Sequence, residues 1–322
     1  MTQLMQGKRG LIMGVANDHS IAWGIARTLA AHGAALAFTY QSDALGRRVR
    51  PLAQSIGSSL VLPCDVEQID SMDATFASIA AKWGALDFLV HAIAFSDKNE
   101  LKGLYADTTR ENFVRTMIIS CFSFTEAAKR ASALMPGGGA MLTLTYNGGE
   151  RAMPNYNVMG VAKGALEASV RYLAVDFGPA GIRVNAISAG PVRTLAGAGI
   201  SDARQMFAFQ QRHSPLRRGV TLDEIGGASL YLLSDLSTGV TGNIHFVDSG
   251  YNIITMPHPS TLKNGLDSES GNGEQAKDAI PALQAAQRDR DARVREAAGV
   301  ALSRIDRERF PAPSNARRSR GK

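Results

Sequence analysis

The feature that most constrains this chain is an alternation, through residues 1–256, of short apolar runs with longer amphipathic stretches. "RGLIMG" (9–14) reads as a buried strand. In "IAWGIARTLAAHG" (21–33), Ile21, Gly24, Ile25, Thr28, Leu29 and His32 fall at helical spacing, and Gly33 offers a stop. Further strands are expected at 34–40, 59–66, 86–95, 140–146, 182–190 and 243–250. Helices are expected at 42–57, 69–84, about 109–135, 156–178 and from Leu222. Strands that are apolar along their length are covered on both faces, and strands separated by helices run parallel through right-handed crossovers. The expected fold class is therefore α/β: a Rossmann-like doubly wound parallel sheet of about seven strands. Such sheets bind ligands beyond the C-terminal ends of their strands.

The alternation stops after Met256. Residues 257–276 are polar and rich in Gly, Ser and Asn, with no apolar period, and read as a flexible linker. Residues 277–322 read as a tail of two short helices joined by a charged turn, ending in the basic "RRSRGK". Ile280, Pro281, Leu283, Val294, Ala297, Ala298, Val300, Ala301 and Ile305 look like a single HEAT-type repeat. One copy of such a repeat does not bury its own apolar face. The expected organisation is a Rossmann-fold domain at 1–256, a linker at 257–276 and a helical tail at 277–322.

Charge and composition exclude several function classes. The net charge of +6 is misleading as an average, because residues from Pro257 onward hold 13 Lys+Arg against 9 Asp+Glu, leaving 22 against 20 in the body. A nearly neutral body gives no electrostatic footprint for nucleic acid. No apolar run reaches the ~18 residues of a membrane span, and the first ten residues lack the apolar core of a secretory signal. Cys64 and Cys121 show no metal-binding spacing and fit a reducing compartment, so a cytoplasmic protein is expected. The six histidines have no ligand spacing, so no metal is expected.

Residues that carry chemistry gather at the expected C-terminal ends of strands. "GVANDHSIAWG" follows the first strand. Gly14 supplies the turn, Ser20 precedes the helix where its hydroxyl can cap it or donate to a phosphate, and Gly24 suits close packing of helix on sheet. The middle glycine of GxGxxG is missing, so this signal is weak alone. Gln41 ends the second strand, where an acidic residue selects NAD and an arginine NADP. A neutral amide that can bond ribose hydroxyls favours NADH, while Arg47 and Arg48 keep NADPH open. Asp65 and Val66 are placed for the adenine amine and ring face, and Ile93 for the cofactor beyond the fourth strand. His91 reads as a packed strand-end residue. Tyr146 ends the fifth strand. Tyr156 and Lys163, seven residues apart at the start of a helix, share one face two turns apart. An ammonium near a phenol is expected to lower the phenol's pKa. After the sixth strand, Gly190-Pro191 breaks the chain and Thr194 can bond a phosphate or carboxamide. Residues 196–218, with Ile200, Met206, Phe207 and Phe209, read as a mobile lid over an apolar pocket.

On "GVANDHSIAWGIA", "AFTYQ", "CDV", "LTLTYNGGERAMPNYNVMGVAK" and "RVNAISAGPVRTLA", residues 7–256 resemble the short-chain dehydrogenase/reductase superfamily. Within it they closely resemble the NADH-dependent enoyl-acyl-carrier-protein reductases of bacterial fatty-acid synthesis. The Tyr-x6-Lys spacing is diagnostic. Most of the superfamily uses Tyr-x3-Lys with an upstream serine, and here Tyr146 stands where that serine is expected. The resemblance implies hydride transfer from NADH to the β-carbon of a trans-2-enoyl thioester, with Tyr156 donating to the thioester oxygen and Lys163 holding the nicotinamide ribose. It places the cofactor over Gly14, Ser20, Ile21, Gln41, Asp65, Val66, Ile93, Lys163 and Val192, Arg193, Thr194, Leu195 and Ala196, with Ser96 near the substrate. It further implies acyl carrier protein as the partner bearing the substrate, and a homotetramer. It leaves the role of Tyr146 open between shaping the acyl pocket and assisting proton delivery. A carbonyl reductase acting on 3-oxoacyl substrates and a non-catalytic NAD-binding scaffold are the competing readings. The missing serine and the tyrosine–lysine spacing argue against the first, and the intact Tyr146, Tyr156 and Lys163 set against the second.

Overall fold

The computed structural model describes residues 3–192, 194, 203–257, 280–288 and 291–305. Its frame is a seven-stranded sheet in the order β3-β2-β1-β4-β5-β6-β7, every neighbouring pair parallel. The strands are β1 (Arg9–Met13), β2 (Ala35–Tyr40), β3 (Leu60–Pro63), β4 (Phe88–His91), β5 (Gly139–Thr145), β6 (Ile182–Ala189) and β7 (Ile244–Val247). The helices of this unit are α1 (Ile21–Ala31), α2 (Asp43–Ser55), α3 (Ile69–Trp83), α4 (Arg110–Met117), α5 (Ser123–Ser132), α6 (Asn157–Phe177), α7 (Ala203–His213) and α8 (Leu222–Leu233).

The period of two along each strand explains why both faces are covered. Ile12, Phe38, Phe88, Val90, Leu142 and Ile187 point into one core, packed with residues of α1, α2 and α8. Leu11, Met13, Leu89, Met141 and Val184 point into a second core, packed with residues of α3, α5 and α6. Strand order reverses direction between β1 and β4, which opens the crevice at their C-terminal ends where doubly wound sheets take ligands.

Two local features differ from expectation. The stretch expected as one helix over about 109–135 contains a π-turn at Ile118–Phe122 between α4 and α5. It re-aims Ser120 and Ser123, and such bulges are frequent near functional sites. Gly24 does not serve contact with the sheet: a Cβ there would meet the Leu222 side chain, so its small size lets α1 lie against α8.

The chain divides into two compact units, Met1–Thr255 and Met256–Lys322. In the second, α9 (Ile280–Ala286) and α10 (Ala292–Ile305) pack on each other, and Ala298 and Leu302 are buried. Most of the expected linker, residues 258–276, lies outside the described residues.

Gly14 is the residue on which the β1–α1 turn depends. Its φ is +102°, and a Cβ would collide with the backbone oxygen of Ala92 beyond β4. Both conditions require glycine. Gly14→Ala should cost at least ~2 kcal/mol, a strained backbone added to a backbone clash. A melting temperature within a degree of wild type would contradict this.

Candidate active site

β5 delivers its last residues to the C-terminal edge of the sheet, and Tyr146 continues the extended backbone at φ −149°, ψ 151°. A 3₁₀ turn, Asn147–Gly149, then lies directly on α6. The approach is backbone on backbone: a Cβ on Gly160 would sit 2.7 Å from Gly148 O, and one on Gly164 3.1 Å from Gly149 O. The small residues of "NGG" and "MGVAKG" are thus one packing device. It brings Tyr146 against Tyr156, the rings edge-on with centroids 5.3 Å apart and planes at 70°. Asn155 and Asn157, either side of Tyr156, have φ of +57° and +36°, a region asparagine tolerates better than most residues. Asn157 Nδ2 donates to Glu100 O at 3.2 Å and Gly103 O at 3.3 Å, pinning the turn. Tyr156 ends up buried among Leu101, Val158 and Met159.

Lys163 follows two turns along α6 and is also buried. Its Nζ donates to Leu144 O at 2.7 Å, tying α6 to β5. Burial depresses its pKa to about 8, against upward pulls from Cys121 and Glu167. Burial pushes the Tyr156 phenol well above its usual value, and Tyr146 and Glu167 add to this. The expectation that Lys163 lowers the Tyr156 pKa is therefore corrected: desolvation of the phenolate dominates. Tyr146 is also raised by burial, with a bond from Gln210 pulling it back. His91 is a packed residue: its ring nitrogens lie 2.9 Å from Ser123 Oγ and 3.3 Å from Thr143 Oγ1, and burial drops its pKa to about 3, so it is neutral.

The residues expected around a dinucleotide gather at the same edge. Gly14 follows β1, and Ile21 opens α1 half-buried. The capping role expected as one option for Ser20 is not realised. Ser20 stands before α1 but makes no side-chain cap; its Oγ instead accepts from Ala16 N at 3.0 Å and Asn17 N at 3.1 Å, shaping the loop. Gln41 Nε2 lies 3.5 Å from Asp65 Oδ2, so the ends of β2 and β3 present an amide and a carboxylate side by side. Val66 and Ile93 pack at the rim of the second core, and Val192 against the first. Thr194 is half-buried. Arg193, Leu195, Ala196 and Ile200 lie outside the described residues. Ser96 is held by α4: it accepts from Thr116 Oγ1 at 3.0 Å and Asn112 Nδ2 at 3.2 Å. Arg47 and Arg48 are exposed on α2. These residues fit a dinucleotide. Gln41 and Asp65 present an amide and a carboxylate that can bond ribose and adenine. Among the described residues, no cluster of three or more His, Cys, Asp or Glu could hold a metal.

Sequence reasoning missed three contributors. Glu167, buried one turn beyond Lys163, accepts from Thr145 Oγ1 at 2.6 Å; its spacing of four from Lys163 was a usable signal. Ser120, inside the π-turn, bonds the backbone of Phe95 in both directions at 2.9 Å. Gln210 Nε2 donates to Tyr146 Oη at 2.6 Å. Neither of the last two is signalled by spacing.

A doubly wound sheet with a buried tyrosine–lysine pair at its ligand-binding edge is the architecture of a short-chain oxidoreductase. Comparison with known proteins narrows the class. Residues 14–252 match the family described as enoyl-(acyl carrier protein) reductase. The enoyl-[acyl-carrier-protein] reductase [NADH] 2 of Rhizobium meliloti is 72% identical over 263 residues, which span 82% of this chain and 98% of its own. Among solved structures, FabI from Candidatus Liberibacter asiaticus has a TM-score of 0.79 at 60% identity, over 80% of this chain and 100% of that one. The enoyl-acyl-carrier-protein reductase of Anaplasma phagocytophilum, in complex with NAD, has a TM-score of 0.78 at 57% identity, over 80% and 98%. The chain belongs to the enoyl-(acyl carrier protein) reductase family.

Lys163 makes a prediction with a definite sign. Its folded pKa of about 8 lies below its ordinary 10.5. The unfolded chain therefore binds more protons between those values, and this residue's contribution to stability rises with pH through that window. At pH 7 the buried charge costs on the order of 3 kcal/mol. Lys163→Met should therefore be at least as stable as wild type at pH 7, and wild type should gain on it as pH rises from 8 to 10. Melting curves showing a constant difference across that range would refute the burial argument.

Proposed function

We propose that this chain is an NADH-dependent enoyl-acyl-carrier-protein reductase, reducing trans-2-enoyl thioesters to saturated acyl thioesters in fatty acid biosynthesis. The observation that carries the reading is the buried Tyr156 phenol at the sheet edge, packed edge-on against Tyr146, with Lys163 two turns behind it. When bound, NADH supplies the hydride. The chain's own residues supply the rest. Tyr156, kept protonated by burial, donates a hydrogen bond to the thioester oxygen as negative charge develops there. A phenol with a raised pKa suits a donor that must not ionise on its own. Lys163 lies at the nicotinamide ribose and keeps the local field positive. Gly14, Ser20, Ile21, Gln41, Asp65, Val66, Ile93 and the stretch Val192, Arg193, Thr194, Leu195 and Ala196 line the cofactor. Ser20 acts by shaping the loop, its Oγ accepting from the backbone amides of Ala16 and Asn17. Ser96 borders the acyl site through its backbone, its hydroxyl being engaged by α4.

A carbonyl reductase needs a side-chain hydroxyl paired with the tyrosine. The two nearest on β5 are already committed: Thr145 Oγ1 to Glu167 at 2.6 Å, and Thr143 Oγ1 to His91 O at 3.1 Å. This favours enoyl over 3-oxoacyl reduction, and the intact donor set disfavours a bare NAD-binding scaffold. The substrate arrives on acyl carrier protein. A cytoplasmic location fits two buried free cysteines and the finding that no helix among the described residues is long and apolar enough to cross a membrane. Residues 1–256 act as the catalytic body, 257–276 as a linker and 277–322 as an appended helical tail.

A homotetramer is supported by apolar side chains that this fold leaves uncovered. Tyr172 and Val175 on α6 are 75% and 74% exposed, and Phe122 in the π-turn 54%. Large apolar residues at this exposure, grouped on adjacent elements, mark an interface.

The first test is NADH oxidation with trans-2-enoyl thioesters, with NADPH run in parallel. Tyr156→Phe should lower kcat by ~10²–10³, the usual effect of losing one oxyanion donor. Turnover of acetoacetyl but not crotonyl thioester would hand the assignment to carbonyl reduction. For assembly, wild type should scatter light as a tetramer, and Tyr172→Asp combined with Val175→Asp should yield smaller species. A monomeric wild type ends that part of the proposal.

A further inference from the structure

Helix α7 meets the candidate site through an unusual side chain. Gln210 is 3% exposed, whereas Phe209 beside it is 46% exposed and leans on the His213 ring, centroids 4.1 Å apart. An amphipathic helix ordinarily buries its aromatic and exposes its amide. Burying a carboxamide is costly unless it is hydrogen-bonded. Here Gln210 Nε2 donates to Tyr146 Oη at 2.6 Å. The same side chain lines a small cleft with Gly190, Pro191, Val220 and Asp248, at the ends of β6 and β7. A polar group thus sits where an apolar one would be cheaper, and its partner is a phenol of the site.

The direction of this bond has a chemical consequence. A phenol oxygen that accepts from an amide keeps its own proton free to donate elsewhere. Were the amide absent, the half-buried Tyr146 hydroxyl would lose the partner that orients it, and both its orientation and the seating of α7 would loosen together.

We propose that Gln210 is a positioning residue that couples the seating of α7 to the orientation of the Tyr146 phenol, so that Tyr146 donates toward the acyl thioester only while α7 covers the site. The functional half of this statement rests on the reductase reading; the coupling itself does not. It assigns Tyr146 a role that depends on α7. A substrate whose acyl portion holds α7 in place is thereby reduced faster than one that does not reach it.

The test is a double-mutant cycle on the full chain with Gln210→Leu, Tyr146→Phe and both together. Amide hydrogen exchange over residues 203–213 is read in each, with α8 as the internal control. Either single change should speed exchange in α7 by roughly tenfold, the usual effect of orphaning one buried hydrogen-bond partner. The double variant should be no faster. In turnover of a trans-2-enoyl thioester, each single variant should lose roughly tenfold in kcat/KM, with no further loss in the double and no change in NADH affinity. Effects that multiply in the double variant, or α7 exchange unmoved by Gln210→Leu, would overturn the coupling. Exchange that couples while kcat/KM stays at wild type in Gln210→Leu would overturn the role for Tyr146. If wild type turns over no enoyl thioester, the reductase reading fails, and the exchange cycle still decides whether Gln210 and Tyr146 act as one.

Discussion

The site depends on a bond between a buried ammonium and a strand carbonyl. Lys163 Nζ to Leu144 O joins the first turns of α6 to the end of β5, and both tyrosines hang from those two elements. A lysine is among the worst residues to bury, and its depressed pKa records that cost. The cost has a structural return. With the ammonium anchored on the strand, the turn Asn147–Gly149 can lie flat on α6 only because four glycines face one another there. Tyr146 and Tyr156 are then held edge to face from two directions. A Cβ at Gly160 would press on Gly148 O, a backbone atom, and force the turn away from α6.

Burial acts on the two titratable groups in complementary senses. It keeps Tyr156 protonated, so the phenol remains a donor, and it makes Lys163 easier to neutralise. Glu167 and Cys121 oppose the second effect and favour the ammonium. The carboxylate itself is raised mainly by burial and held by Thr145. Lys163 and Glu167 therefore share a largely water-excluded enclosure at the sheet edge. Such an enclosure strengthens a single hydrogen bond to a developing oxyanion, because little water competes for it.

The legible part of this structure was what repeats or what is spaced. The short unbroken apolar run in "RGLIMG" and the period of 3.6 in "IAWGIARTLAAHG" sufficed for strand, helix and parallel sheet, because the strands are covered on both faces. The interval from Tyr156 to Lys163 sufficed for one face of one helix. What escaped depends on partners distant in sequence. Gly24 looks like a contact with the sheet until α8 arrives nearly two hundred residues later with Leu222. Ser20 looks like a cap until the loop before it folds back. The sign of the Tyr156 shift could not be read, because the ammonium is visible in the sequence and the surrounding apolar wall is not.

The loops at this edge are fixed by small hydroxyl and amide side chains more than by apolar packing. Asn112 and Thr116 hold Ser96, Ser120 holds Phe95, Ser123 meets His91, and Gln210 holds Tyr146. Each bond runs from a helix to a segment following a strand, except the last two, which reach a strand's end or the residue just past it. Hydrogen bonds are directional where apolar contacts are not, so this choice fixes angles as well as positions. The π-turn at Ile118–Phe122 belongs to the same logic. The π-turn carries Ser120 to the backbone of Phe95, beyond β4, and leads into Ser123, which meets His91 at the end of the same strand. The rigid sheet sets where the edge lies, and these helix-borne polar groups set how each loop is presented along it.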